Sequence, residues 1–420
     1  MLLAASVALA GCTTESGFGG LGGQGGGSGA ALSLTPGAGP VSRSRAPGGR
    51  GVALLAPLSG PNAALGPVLE QATKLALSVP GSPLLDVRDT FGTSQGAAAA
   101  AQAAIAAGAG LVLGPLTATE TAGASGPAQA AGVAMLAFTN DPAVAKPGVW
   151  TLGITPQQQV FRLVAAAKAE GRQRFAALLP DSPFGQAMGQ ALAAACQAAG
   201  LQPPNILTDA TSMSGLDAQV RNLSDYAGRR GPLEAQIRAL RSQRPKGWYQ
   251  KVQALRRAPI PPPPIDALLL ADTGDTLVEI ASLLPYYDLD TTVIRVMGPA
   301  LWADPRLRAG ARVGGAWYAA PDPADRADFV RRATAAGGPP PPTIADIAYD
   351  AASVARVLAG DGGFSRASLE RGGGFAGADG VFELMSDGSV RRGLAVFNVV
   401  QGGPDTVASP APSTVTGPVI

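Results

Sequence analysis

Histidine is absent from all 420 residues. That removes the commonest general base, the Ser-His and Cys-His nucleophile pairs, and imidazole metal ligation. Cysteine is nearly absent, with only Cys12 and Cys196 present. If Cys12 is chemically engaged elsewhere, Cys196 has no disulfide partner. Its place in the Ala-rich stretch Phe184–Ala199 predicts a small core residue rather than a nucleophile. Aromatics are scarce at 5%, and the formal net charge is only +2. Nothing in that balance points to a nucleic-acid partner. The clearest basic cluster, Arg229-Arg230 through Arg256-Arg257, is mixed with apolar residues at helical spacing and reads as a solvated helix face. Beyond the N-terminus no run approaches the ~20 apolar residues of a membrane span. Carboxylate-only or Ser-Lys catalysis survives these exclusions, but no spacing supports either. The chain therefore reads as non-enzymatic, with no cofactor and no metal site.

What is present begins at the N-terminus. Met1 to Ala8 is apolar, and Leu9-Ala10-Gly11-Cys12 follows. This tetrad resembles the bacterial lipobox, which implies a signal peptide over residues 1–11 and a mature chain lipidated at Cys12. No Lys or Arg precedes the apolar run, which predicts a true start codon further upstream. Residues 12–50 are rich in Gly, Ser and Pro, and the run Gly19 to Gly25 cannot bury apolar surface. They are expected to form a flexible tether. A GxG pattern occurs there without a preceding strand, so a phosphate loop is rejected.

From residue 51 apolar strands alternate with helical segments. Strands are expected at Gly51–Ala56, Leu84–Arg88, Leu111–Gly114, Val133–Phe138 and Val149–Leu152. A second series follows, at Phe175–Leu179, Ile206–Thr208, Ala267–Ala271, Val293–Met297 and Gly315–Ala319. Within this second series, between Thr208 and Ala267, lies one long polar helical region, 218–257, ending in Pro259–Pro264. Residues 380–400 read as a hairpin around Asp387-Gly388. This alternation predicts an α/β fold of two lobes, each a mainly parallel sheet flanked by helices. Lobe 1 takes 51–155 and 319–378, and lobe 2 takes 156–318 and 379–403. Three crossings near 155, 319 and 379 form the hinge, and 404–420 is a disordered tail.

Open sheets bind ligands beyond the carboxyl ends of their strands. Polar residues cluster at several such ends. Ser59 and Gly60 follow the first strand, where Ser59 can cap a helix or help hold an anion. Thr117 follows the third and has capping-box spacing to Glu120. Thr139 and Asn140 follow the fourth. From the second series come Asp181, with Ser182 as N-cap, Pro183 at N1 and Phe184 behind it, and Asp272. Either acid could meet an ammonium group or remain a solvated cap. Tyr349 and Asp350 read as packing or hinge support.

The order Pro57-Leu58-Ser59-Gly60, Gly114-Pro115, Phe138 to Asp141, Asp181 to Gly185, Tyr349-Asp350-Ala351 and the terminal Asp387-Gly388 hairpin resembles type I periplasmic binding proteins, the leucine-binding-protein superfamily. The resemblance spans about residues 51 to 403 and implies a hinged two-lobed binding fold. Leu283 to Asp288, Val293 to Trp302 and Gly314 to Trp317, with the 218–264 insertion, are similar to lipoproteins classed as penicillin-binding protein activators. That branch implies a penicillin-binding protein as partner and peptidoglycan synthesis as the regulated process. Thr13 after Cys12 implies, by the lipoprotein sorting rule, a periplasmic protein anchored to the outer membrane by lipid alone. The chain departs from the best-known activator, because the Gly-rich stretch stands where that protein has a helical-repeat domain. The other reading is the solute receptor of an ABC permease, holding an amino acid or similar small polar ligand between the lobes. Ser59, Thr117, Thr139 and Asn140 would then face its carboxylate, and Asp181 or Asp272 its amine.

Overall fold

The computed structural model describes residues 31–36 and 51–414. The proposed signal peptide and Cys12 lie outside the described residues. After the short β1 (Leu32–Ser33), strands β2 (Gly51–Ala56), β3 (Leu85–Asp89), β4 (Ala109–Leu113), β5 (Ala134–Ala137) and β6 (Val149–Thr151) appear in turn. The last five form an all-parallel sheet in the order β3-β2-β4-β5-β6. Its strands are apolar on both faces because helices cover both. Val52, Leu54, Leu111, Leu113 and Leu136 enter one core, while Leu55, Val112 and Met135 enter the core on the opposite side.

The second sheet starts with β7 (Phe175–Leu179), β8 (Asn205–Thr208), β9 (Ala267–Leu270), β10 (Arg295–Gly298) and β11 (Trp317–Ala320), all parallel. The same alternation divides Leu178, Leu268 and Leu270 from Ala177, Leu179 and Leu269. Helices begin on side-chain caps. Thr93 accepts from Gly96 N, Ser182 accepts from Gly185 N with Pro183 opening the helix, and Thr155 forms a capping box with Gln158. Among the described residues no helix is long and apolar enough to cross a membrane.

The C-terminal return differs from expectation. Strands β12 (Phe375–Gly377), β13 (Gly380–Leu384) and β14 (Val390–Arg392) make a small sheet with β1. The hairpin does turn at Asp387-Gly388, but Phe375, Phe382, Leu384 and Val390 share the core of the first lobe with Leu54 and Trp150. Trp150 Nε1 donates to Met385 O at 2.7 Å. Residues 380–392 therefore belong to lobe 1, and the third crossing lies at Gly393-Leu394 rather than near 379. Only then does β15 (Ala395–Asn398) join lobe 2, antiparallel to β11.

Three further expectations are corrected. Within the supposed tether, β1 pairs in parallel with β12, Leu34 is buried, and Leu34 O accepts from Arg356 at 2.6 Å. Within the supposed disordered tail, β16 (Thr406–Ser409) pairs with β15. The Asp405 carboxylate accepts from Arg308 at 2.6 Å and from the Tyr318 hydroxyl at 2.9 Å. Finally, the insertion is three helices, Met213–Leu223, Tyr226–Gln243 and Trp248–Arg257, rather than one. Left-handed residues Asp225, Arg244 and Gly247 separate them.

Candidate functional site

In lobe 1 the strand order reverses beside β2, since β3 lies on one side and β4 on the other. Ligands of open α/β sheets sit at such a switch point. The loops leaving β2, β3, β4 and β5 all meet there. Ser59 is at that edge, but it caps no helix. The Asp89 carboxylate, at the end of β3, accepts the Ser59 hydroxyl at 2.5 Å. It also accepts the backbone N–H groups of Leu58, Ser59 and Phe91 at 2.9, 3.2 and 2.8 Å. Partial burial pushes this carboxyl up, but the four donors outweigh burial and hold it below the ordinary carboxylate range. Gly60 closes the loop with a φ of 71°, where an added Cβ would collide with Phe91 O.

Thr117 is equally committed. Thr117 N and Oγ1 donate to Glu120 Oε2 at 3.0 and 2.6 Å, and Glu120 N donates back to Thr117 Oγ1 at 3.2 Å. The other oxygen of the fully buried Glu120 accepts from the Thr90 hydroxyl. Thr139 is buried and its Oγ1 accepts from Asp141 N at 3.1 Å, whereas Asn140 is exposed. Ser59 and Thr117 are thus tied to two internal carboxylates, Asp89 and Glu120, whereas the Thr139 hydroxyl and the exposed Asn140 side chain are not.

Lobe 2 repeats the topology around β7, flanked by β8 and β9. Asp272, after β9, is buried, and its main-chain oxygen accepts from Trp302 Nε1 at 2.9 Å. Its carboxyl meets that of Asp209, which follows β8 and whose N–H donates to Leu179 O at 2.8 Å. Burial raises both acids above the usual carboxylate range, and their mutual repulsion raises Asp272 further. Asp209 Oδ1 and Asp272 Oδ2 are buried and find no donor among the described residues. Two carboxyls so placed disfavour ionising together, which favours one proton shared between them. Asp181 is exposed at the end of β7, and Phe184 is half-buried against the lobe 2 core. Cys196 is a core residue whose thiol burial pushes up to about 11.

The hinge carries a third polar cluster. Buried Arg392 donates to Leu152 O at 2.8 Å and Asp379 O at 3.0 Å, joining the first crossing to the return strands. Asp350 accepts from Ala378 N and Asp379 N at 2.7 and 2.9 Å, consistent with a hinge-supporting place. From the start of the next helix, Gln158 Nε2 donates to Val390 O at 2.5 Å and Arg162 Nε to Leu394 O at 2.7 Å.

Sequence reasoning thus placed Ser59, Thr117 and Thr139 together at one edge and anticipated the Thr117–Glu120 capping box, but missed Asp89 and Asp209. Asp89 ends a strand expected to stop at Arg88, and Asp209 directly follows one expected to stop at Thr208. An acid at the close of an apolar strand was the available signal for each.

Comparison with known proteins agrees with this architecture. No curated protein matches the sequence. A putative branched-chain amino acid ABC transporter protein of Rhodospirillum rubrum superposes with a TM-score of 0.61 at 18% identity, covering 84% of this chain and 98% of that one. The leucine-binding protein LivK of Thermotoga maritima gives 0.51 at 16% identity, covering 86% and 98%. The C-domain of LpoA from Haemophilus influenzae, a regulator of PBP1A, gives 0.58 at 16% identity, covering 85% and 99%. At such identities the likeness is one of fold. The family described as periplasmic binding protein matches residues 51–403, and with two parallel sheets joined by three crossings, the chain belongs to the type I periplasmic binding proteins.

Proposed function

We propose that this chain is a non-enzymatic periplasmic lipoprotein that binds a penicillin-binding protein and regulates peptidoglycan synthesis. The observation that carries the reading is the engagement of Ser59 and Thr117 by internal carboxylates. A receptor for an amino acid needs free donors for the ligand carboxylate. Here Ser59 and three neighbouring backbone N–H groups are held by Asp89, and Thr117 by Glu120. An incoming anion would displace one internal carboxylate while facing a second. Likeness to the LpoA C-domain supports the same reading, as does the helical insertion. Lipidation of Cys12 and anchoring to the outer membrane belong to the proposal. Purified chain added to bifunctional peptidoglycan synthases is expected to change glycan polymerisation or cross-linking at least twofold. Unchanged rates with every synthase of the source organism, together with no co-purification, would overturn it.

One observation favours the alternative, a solute-binding component of an ABC importer. The unpartnered oxygens of Asp209 and Asp272 at the lobe 2 switch point suit an ammonium group. Thermal unfolding in the presence of amino acids and small amines separates the readings. A bound solute at a hundred times its dissociation constant adds about 2.7 kcal/mol, and the regulator reading expects no shift.

A further inference from the structure

The helical hairpin 226–257 is where the chain concentrates its positive charge. It holds nine Lys or Arg residues against a single acid, Glu234, in a protein of formal net charge +2. Two of the nine are occupied. Arg229 is buried and clasps the root of the hairpin, donating to Ser224 O, Pro261 O and Tyr287 O at 2.6, 2.9 and 2.9 Å. Arg230 pairs with Glu234 at 3.2 Å. The other seven are exposed and make no ion pair among the described residues. Arg238 and Arg241 are one helical step apart, and Arg244 follows at the C-cap, so the three lead toward the turn. At the turn they meet Lys246, Trp248, Tyr249 and Lys251. Tyr249 is 62% exposed and packs edge-on against Trp248, with ring centroids 5.9 Å apart. The Arg244 guanidinium lies 5.8 Å from the Trp248 ring.

The aliphatic side of the hairpin is already used. Ile237 and Val252 are each 2% exposed. What remains outside is cationic, with an amphipathic aromatic pair at the tip. A stable protein–protein face needs a desolvated apolar centre, which this surface lacks. A headgroup layer instead rewards clustered Lys and Arg through long-range attraction, and takes up Trp and Tyr at the level where apolar and polar environments meet. The helix of 18 residues is about 27 Å long, enough to hold the tip away from its clasped root.

We infer that the 238–251 tip of this hairpin is a docking surface for an anionic phospholipid bilayer. It binds peripherally and through charge, separately from any acyl chain and independently of the synthase reading. The test uses the full chain carrying Cys12→Ser, so that no acyl group contributes, and vesicles of phosphatidylcholine with or without phosphatidylglycerol. Co-sedimentation is expected with the anionic vesicles at low salt. The partition is expected to fall at least tenfold near 1 M salt, where the screening length is about 3 Å. Charge reversal by Arg241→Glu, Arg244→Glu and Lys246→Glu together is expected to cause a similar loss, while the three positions changed between Arg and Lys retain binding. Because these side chains are exposed, an unchanged unfolding midpoint confirms that the reversed chain is folded. Equal capture of parent and reversed chains, or equally strong capture by neutral vesicles, overturns the inference. So does a loss on charge reversal that appears only in synthase binding, because the hairpin is then a protein interface.

Discussion

Replacing Arg392 by alanine lowers the thermal unfolding midpoint by roughly 10 °C, the largest loss expected from any single substitution at the hinge. The guanidinium satisfies Leu152 O and Asp379 O, lies 3.9 Å from the Asp379 carboxylate and sits over the Phe382 ring at 5.1 Å. Asp350 and Asp379 remain buried beside the vacancy, each already raised by burial, and Arg392 is among the charges that counter it. Breaking a buried charge pair from one side costs about 3–5 kcal/mol, because the remaining charge is uncompensated. Two orphaned carbonyls add to that. Arg392→Lys recovers charge but not the forked reach to two carbonyls, so it is expected to fall between the parent and the alanine variant. An alanine variant that unfolds within about 2 °C of the parent refutes this account of the hinge.

The second large effect is a stability that declines as pH rises. Asp272, Asp350 and Asp346 all have carboxyls raised by burial, Asp346 up to about 7 in spite of its ion pair with Arg326 at 2.5 Å. In the unfolded chain such groups ionise near 3.9. Between these limits the folded state binds more protons than the unfolded state, so unfolding free energy falls with increasing pH. The stabilisation is complete below the unfolded value, near pH 4, and is lost as pH climbs through the raised folded values. The protein is therefore expected to be more stable at pH 5 than at pH 8. Asp272→Asn removes one member of the Asp209 pair without changing its shape. It is expected to stabilise the fold by on the order of 1–3 kcal/mol at pH 8. Near pH 4, where the carboxyl is not yet ionised in either state, the two midpoints are expected to lie close together. Chemical denaturation across this range checks both statements. A gap independent of pH would sink the shared-proton account.

Much of the fold was legible because its signals are local. Strands such as Leu111–Leu113 and Ala267–Leu270 are apolar on both faces, and Thr117 and Ser182 announce helices through their own side chains. The elements that escaped carry no such signal. β16 is the sequence Thr-Val-Ala-Ser with an exposed pattern, and it forms because β15 offers an open edge. β1 is two residues held by a neighbour more than three hundred positions away. The hairpin at 387 was recognised, but its lobe was not, because periodicity tells which face is apolar and not which core receives it. The site was legible to the same extent. Ser59 and Thr117 were placed at a common edge, yet whether a hydroxyl is free depends on acids from other strands. Ser59 meets Asp89 thirty residues on, and Asp272 meets Asp209 across β7.

The parallel pairing of Leu32–Ser33 with Phe375–Ala376 also fixes a load path. Tension on the chain upstream of residue 31 reaches the folded body along the axis of β1, so its backbone bonds are strained together in shear rather than unzipped one by one. Leu34, buried and gripped through its carbonyl by Arg356, acts as the bollard behind them. The force is delivered first to lobe 1, whose core holds Leu34.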